Sequence, residues 1–280
     1  MTLRDFATLT KATISAFSAL SAAAGFAAYH RGADLRLLPL CGGTLLMAMG
    51  ASAFNEVLER DLDARMKRTQ DRPVARGALS PRAAALLAGS LALAGALALG
   101  LGLGWPPLLL GLSALVWYVL VYTPMKRMTA FAVVPGALIG ALPPAMGWTA
   151  AGGGAGGPLL AICVVFFLWQ VPHFWLLALL HGRDYLDAGL PTPLARLTAG
   201  SVHRATFVWV CATASACLLL PLTGVVARPL SLALLGAGGL LWILRTAPLL
   251  ATIRRPGAYR RAFGESNIFI LEVMVALLLG

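Results

Sequence analysis

Charge is what this chain has least of. Only 12% of its 280 residues are charged and only 11 are acidic, whereas a soluble domain averages about 25% charged residues. An ordinary water-soluble fold is therefore excluded. Cysteine is sparse too. Cys41, Cys163, Cys211 and Cys217 lie scattered inside apolar runs without ligand-like spacing, so they read as small membrane-core residues rather than a metal site or disulfide framework. No polar stretch is long enough for a soluble module, and the expectation is one membrane domain over 1–280. No convincing cleavable signal precedes the first apolar run, and no Arg/Ser-rich organelle presequence is present, which points to a bacterial inner membrane.

What the chain has in abundance is hydrocarbon. Hydrophobic residues make up 59% of it and mean hydropathy is +0.81. Runs of about 17–25 apolar residues suffice to span a bilayer, and nine are expected, near 14–29, 37–56, 83–103, 106–122, 131–149, 158–180, 206–224, 229–247 and 266–280. The fold class is thus all-α, a bundle of about nine transmembrane helices around a central cavity. With the N-terminus inside, all 22 basic residues except Arg31, Arg36 and Arg228 fall in the N-terminal segment, in the even-numbered gaps or, for Arg245, at the end of the eighth run beside such a gap. That asymmetry puts those gaps on the cytoplasmic side. The net charge of +11 then reports topology and anionic headgroups, and nucleic acid is not an expected partner.

Four of the 11 acids gather at the end of the second run, in Asn55-Glu56-Val57-Leu58-Glu59-Arg60-Asp61-Leu62-Asp63. Asn55, Glu59 and Asp63 follow i, i+4, i+8, a spacing that drifts only about 40° per step on a helix, so their oxygens share one face. Stacked carboxylates repel unless a cation sits among them. Mg²⁺ suits them, taking one or two carboxylates and completing its shell with water and phosphate oxygens. Arg68 and Arg72, one turn apart just beyond, have the geometry to grip the rest of a phosphate. Asp61 points away from that face. The bland alternative is a solvated helix end whose acids balance nearby arginines, but ionisable groups at membrane depth are expensive and usually functional.

Further polar clusters lie at 122–129 and 181–204. Lys126 and Arg127 follow an apolar span, where positive-inside anchoring would account for them, and Lys11 carries the same ambiguity. Asp184 and Asp187, three apart, read either as a polar loop balanced by Arg183 or as a second acidic patch. His173 lies in an apolar run, where a hydrogen-bonded packing role competes with a ligand role. Trp105, Trp148 and Trp242 fit interfacial belts.

These motifs together resemble the intramembrane UbiA-type prenyltransferases, and in detail their protoheme IX farnesyltransferase branch. Besides the acidic motif with Met66-Lys67-Arg68-Thr69 and Arg72-Pro73, the similar segments are Leu9-Thr10-Lys11, Tyr122-Thr123-Pro124-Met125-Lys126-Arg127-Met128-Thr129, Gly140-Ala141-Leu142-Pro143-Pro144, Leu168-Trp169-Gln170-Val171-Pro172-His173-Phe174-Trp175 and Asp184-Tyr185-Leu186-Asp187-Ala188-Gly189-Leu190-Pro191. The resemblance runs over essentially the whole chain. It departs at Ala12, where the family has proline, at Thr192-Pro193-Leu194, where the branch usually reads Met-Leu-Pro, and at Ala130-Phe131-Ala132, where asparagine or serine is common.

The resemblance implies farnesyl transfer from farnesyl diphosphate to a vinyl group of heme b. It implies Mg²⁺ as cofactor, held by Asn55, Glu59, Asp63 and Asp184 with Asp187 in support. It assigns the diphosphate to Arg68, Arg72, Lys126, Arg127 and Lys11, and heme contact to His173 and Trp169. A heme A synthase or terminal-oxidase assembly is implied as partner by resemblance only. Two other readings compete. A prenyltransferase of the same fold acting on an aromatic or quinone-precursor acceptor leaves the His173 segment unexplained. A cation transporter would need polar residues through the middle of several spans, whereas here they gather at one face.

Overall fold

A computed structural model describes residues 1–32, 34–193, 197–251 and 257–280. Leu194 of the departing segment, and Arg196, Arg254 and Arg255 of the basic set, lie outside the described residues. Among those described the chain is all-helical, with nine helices long and apolar enough to cross a membrane. A short α1 (Leu3–Leu9) precedes α2 (Ala12–Tyr29), α3 (Leu37–Asp63), α4 (Pro81–Leu103), α5 (Trp105–Met125), α6 (Val133–Ala150) and α7 (Gly157–Leu180). A one-and-a-half-turn α8 (Gly182–Asp187) leads to α9 (Ala199–Leu222), α10 (Pro229–Leu250) and α11 (Ala258–Leu279).

The expected spans are all present, and the seventh and ninth start earlier than their apolar runs. Thr198 Oγ1 accepts from the Ser201 amide and caps α9, while α11 includes Arg260, Arg261 and Glu265 in its first turns. Backbone hydrogen bonding needs no apolar side chain, so polar turns extend a helix beyond what hydropathy marks.

Lipid offers no hydrophobic force between helices, so their association relies on close packing of small residues. At the α2–α6 contact Gly25 lies on the Pro144 backbone, and Gly147 lies on the Ala22 carbonyl with the Phe26 nitrogen only 2.6 Å from where a Cβ would stand. Gly50 and Gly95 let α3 and α4 meet as closely. A second core, around Trp169, Phe166, Trp242 and Phe269, joins α7, α9, α10 and α11. Trp242 belongs to it rather than to an interfacial belt: it is 1% exposed and stacks on Phe269 at 4.5 Å. Trp105 is exposed, and Trp148 is buried with its indole donating to the Gly154 carbonyl.

The polar clusters meet at one end of the bundle. Lys11 bonds Asn55, Lys126 bonds Glu59, and Asp184 accepts from the Lys67 amide. Those contacts bring together the start of α2 and the ends of α3, α5 and α7. Between these helices a cavity of about 1000 Å³ runs from the charged end into the apolar interior.

Candidate active site

The acidic ladder forms the mouth of that cavity. Asn55, Glu59 and Asp63 are 0%, 5% and 1% exposed and all three line it, on the one face that i, i+4, i+8 requires. Each is held by a basic group that lines the same cavity. Arg72 grips both oxygens of Asp63 at 2.8 and 2.7 Å. Lys126 reaches the two oxygens of Glu59 at 2.7 and 2.9 Å. Lys11 donates to Asn55 Oδ1 at 2.6 Å and to the Tyr118 hydroxyl at 3.1 Å. The Asn55 amide completes the chain by donating to Glu59 and Thr123.

Local structure accounts for these positions. Thr69 Oγ1 donates to the Asp63 carbonyl, turning the chain back after α3 so that Arg72 returns to the helix it has just left. Glu56, wholly buried, accepts from the Val74 amide and ties that loop to α3. Lys11 occupies the hinge between α1 and α2 with φ 45°, the one non-glycine residue with positive φ among those described. Such backbone is uncommon for a lysine and is found where surroundings impose it. Here Leu9, fully buried against Ala53, Val74, Ala84 and Ala88, anchors α1 and leaves Lys11 to turn inward. Burial, and then the Arg72 charge, bring the Lys11 ammonium down to about 8.

Other predicted residues are not brought to the ladder. Arg68 lines the cavity but is largely exposed, donating to the Tyr185 hydroxyl at 3.3 Å. Arg127 faces outward, its guanidinium donating to the Leu58 carbonyl. Asp184 accepts from the backbone amides of Lys67 and Arg68 at 2.8 and 3.2 Å, and neither it nor exposed Asp187 lines the cavity. Among the described residues no three acids, histidines or cysteines converge as a ligand cluster. The second acidic patch meets the first motif through the backbone of the arginine loop, and three-residue spacing at the end of a short helix leaves Asp187 exposed.

Tyr118 was not singled out by the sequence, and Tyr122 only as part of a family-like segment. Tyr118 and Tyr122 line the cavity with rings 5.8 Å apart, and Lys126 lies 5.1 Å over the Tyr122 ring. Tyr118, Tyr122 and Lys126 repeat the i, i+4, i+8 spacing of the acidic ladder, a signal that was available. What sequence does not show is that Trp117–Tyr122 is a π-helical turn, a rare widening that often marks functional sites.

Deeper in, Met47, Gly111 and Met146 give the cavity an apolar floor beside Thr44, while Trp169, His173, Phe174 and Phe263 make an aromatic wall. His173 sits 4.8 Å from Trp169 and 4.7 Å from Phe263, ring to ring. The Trp169 indole donates to the Ser266 carbonyl and locks α7 to α11. His181 and His203 are not wall residues, and buried His203 pairs with the Tyr259 hydroxyl at 2.9 Å.

The arrangement thus offers buried oxygens and cations at a mouth, and behind it apolar room for a long tail and a flat partner. The UbiA prenyltransferase family matches residues 15–270. A protoheme IX farnesyltransferase of Geobacter sulfurreducens is 40% identical, each chain covering all of the other. Another from Oleidesulfovibrio alaskensis is 38% identical over 98% of this chain and 95% of its own. In fold, the chain is similar to a UbiA homolog from Archaeoglobus fulgidus bound to GPP and Mg²⁺, with a TM-score of 0.74 at 17% identity, over 99% of this chain and all of that one.

Proposed function

The chain belongs to the UbiA prenyltransferase family, and from that premise we propose that it transfers a farnesyl group from farnesyl diphosphate to a vinyl group of protoheme IX, with addition of water, to make heme O. One observation carries the reading. A single cavity joins a buried carboxylate–cation mouth to an apolar floor and an aromatic wall bearing His173. The mouth suits a diphosphate, the floor an isoprenoid and the wall a porphyrin.

The donor set fits Mg²⁺. Asn55, Glu59 and Asp63 present hard oxygens with neither thiolate nor imidazole among them, and two carboxylates leave most of a shell to water and phosphate, as this ion prefers. When bound, it supplies positive charge to the departing diphosphate. Lys11, Arg72 and Lys126 supply the rest through charge-assisted hydrogen bonds, Arg72 and Lys126 exchanging their present carboxylate partners, and Lys11 the Asn55 amide oxygen, for phosphate oxygens. Asp184 positions Arg68 by holding its backbone. As the C–O bond to diphosphate breaks, an allylic cation forms, and the electron-rich terminal vinyl carbon bonds to it. Tyr118, Tyr122 and the apolar walls keep bulk water from quenching that cation first. Trp169 and His173 form the face against which the porphyrin lies. The charged end faces the cytoplasm of a bacterial inner membrane, since basic residues gather there.

Incubating purified protein with heme b, farnesyl diphosphate and Mg²⁺ should yield an extractable heme heavier by farnesyl plus water. Diphosphate consumption with heme unchanged, and an aromatic acid prenylated instead, would overturn the acceptor assignment.

Lys11 makes a second expectation. It is charged below about 8 and loses its proton above, so kcat/KM for farnesyl diphosphate should fall as pH rises through that value, since kcat/KM reports ionisation of the free enzyme. Lys11→Arg, charged throughout, should lack this limb. An unchanged alkaline limb in the variant would assign the fall to another group.

A further inference from the structure

The wall formed by α7 and α11 carries polar groups that the transfer step leaves unused. Gln170, His173 and Asn267 all line the cavity. Gln170 precedes His173 by one turn of α7. Asn267 follows Phe263, whose ring contacts His173, by one turn of α11. The Trp169–Ser266 hydrogen bond pins the two helices together at this level. Gln170 is held in place by a missing side chain: its amide oxygen occupies the position where a Cβ of Gly140 would stand.

Among the described residues none of the three finds a full set of partners. His173 Nδ1 is buried without a partner there, so Nε2 is the nitrogen that reaches the cavity, and the amides of Gln170 and Asn267, which line it, make no hydrogen bond with a described residue. The cavity-lining serines of α2 differ, because Ser15, Ser18 and Ser21 each donate to a carbonyl of their own segment. Asn267 lies about 14 Å along α11 from its start, among Trp169, Phe263 and Leu271, where an amide without a partner is costly. A water molecule needs two to four polar partners to be held in such a place. Two amides, each with one acceptor and two donors, and an imidazole nitrogen provide them.

Resting on the heme-farnesylating reading, we propose that Gln170, Asn267 and His173 hold the water that completes the reaction. Once the terminal vinyl carbon has bonded to the farnesyl C1, positive charge resides on the carbon attached to the porphyrin. Two fates compete there. Loss of a neighbouring proton gives an alkene, whereas bonding to a water oxygen gives an alcohol. The Asn267 amide oxygen accepts one hydrogen of the water and His173 Nε2 the other, while the NH2 group of Gln170, whose oxygen lies against Gly140, donates to the water oxygen. Its oxygen bonds to the cationic carbon, and the released proton passes to His173 Nε2. The stoichiometry is heme, farnesyl diphosphate and water giving hydroxyfarnesylated heme, diphosphate and a proton. The wall thereby decides which product forms, while the mouth decides how fast the donor ionises.

The test compares product ratios in the full-length protein with heme b, farnesyl diphosphate and Mg²⁺. Asn267→Leu and Gln170→Leu keep side-chain size and remove the hydrogen-bonding groups. Each should lower the ratio of hydrated product to product lighter by one water by about tenfold, the loss expected from one hydrogen bond to the reacting water. Asn267→Gln should restore part of the ratio. Isotope-labelled water should appear in the alcohol. Variants that lower both products equally, or leave the ratio unchanged, would overturn the proposal by showing a packing role. Should the wild-type protein leave heme unmodified while consuming the diphosphate, the acceptor reading falls instead, and the two failures are distinct.

Discussion

Asp63→Asn will lower kcat/KM for farnesyl transfer by about 10³-fold, near the upper range for removal of a single electrostatic stabiliser from an active site. The substitution keeps shape and removes a charge at the one carboxylate that Arg72 grips with both oxygens. Two consequences follow from that geometry. The metal–diphosphate mouth loses a negative ligand, which strikes the transition state. Arg72, only 16% exposed at its side chain, loses its counter-charge, which strikes stability. Breaking a buried ion pair by removing one partner costs about 3–5 kcal/mol, and the amide oxygen of asparagine recovers part of that. The two effects separate in the double variant Asp63→Asn/Arg72→Gln. With neither charge left uncompensated, it should regain most of the lost thermal stability and remain inactive. Product formation and thermal unfolding on the same preparations decide the matter. Activity within twofold of wild type for Asp63→Asn would remove this carboxylate from the mechanism.

Gly147→Leu should be the most damaging single change far from the mouth. Its Cβ would fall on the Ala22 carbonyl, with the Phe26 backbone nitrogen 2.6 Å away. Backbone atoms on a facing helix cannot rotate aside as a side chain can, so α2 and α6 must separate. Overpacking typically costs about 1–3 kcal/mol, and the rigid obstacle puts this case at or above the upper end. For a chain of this size about 3 kcal/mol corresponds to a fall in Tm of roughly 6–12 °C. Separation of α2 also displaces Lys11 at its start, so activity should fall with stability. Gly236→Leu on α10 is the control: nothing lies within 4 Å of a Cβ there, and the residue is exposed. Equal thermal shifts in the two variants would show that the α2–α6 contact is not the reason.

Much of this molecule was legible before any coordinates. Nine spans followed from apolar run length, because a bilayer imposes a minimum helix length. The acidic ladder followed from its spacing, because helical periodicity turns sequence intervals into directions. Cavity-lining Arg68 and Arg72 were legible as cations near a candidate phosphate site, and Lys11 and Lys126 only through the family resemblance. Their present partners were not. That Arg72 returns to Asp63 depends on the turn closed by Thr69 and on Glu56 holding Val74, and neither shows as a pattern. Asp184 was visible as an acid, yet its role as acceptor for the Lys67 and Arg68 amides joins positions more than a hundred residues apart. Trp242 looked like a belt residue because tryptophan favours interfaces, and stacking on Phe269 in the core outweighed that preference.

By itself, then, the sequence determined that the protein is a polytopic helical membrane protein, where its charged end lies and which side chains of α3 share a face. These are properties of local periodicity and of burial in lipid, both of which act along a continuous stretch of chain. Only the tertiary structure decided that carboxylates, cations and tyrosines from four separate segments enclose one mouth, and that Gln170, His173 and Asn267 meet on one wall. Such meetings depend on how helices distant in sequence pack, and packing is set by the small residues between them, whose partners no local pattern names.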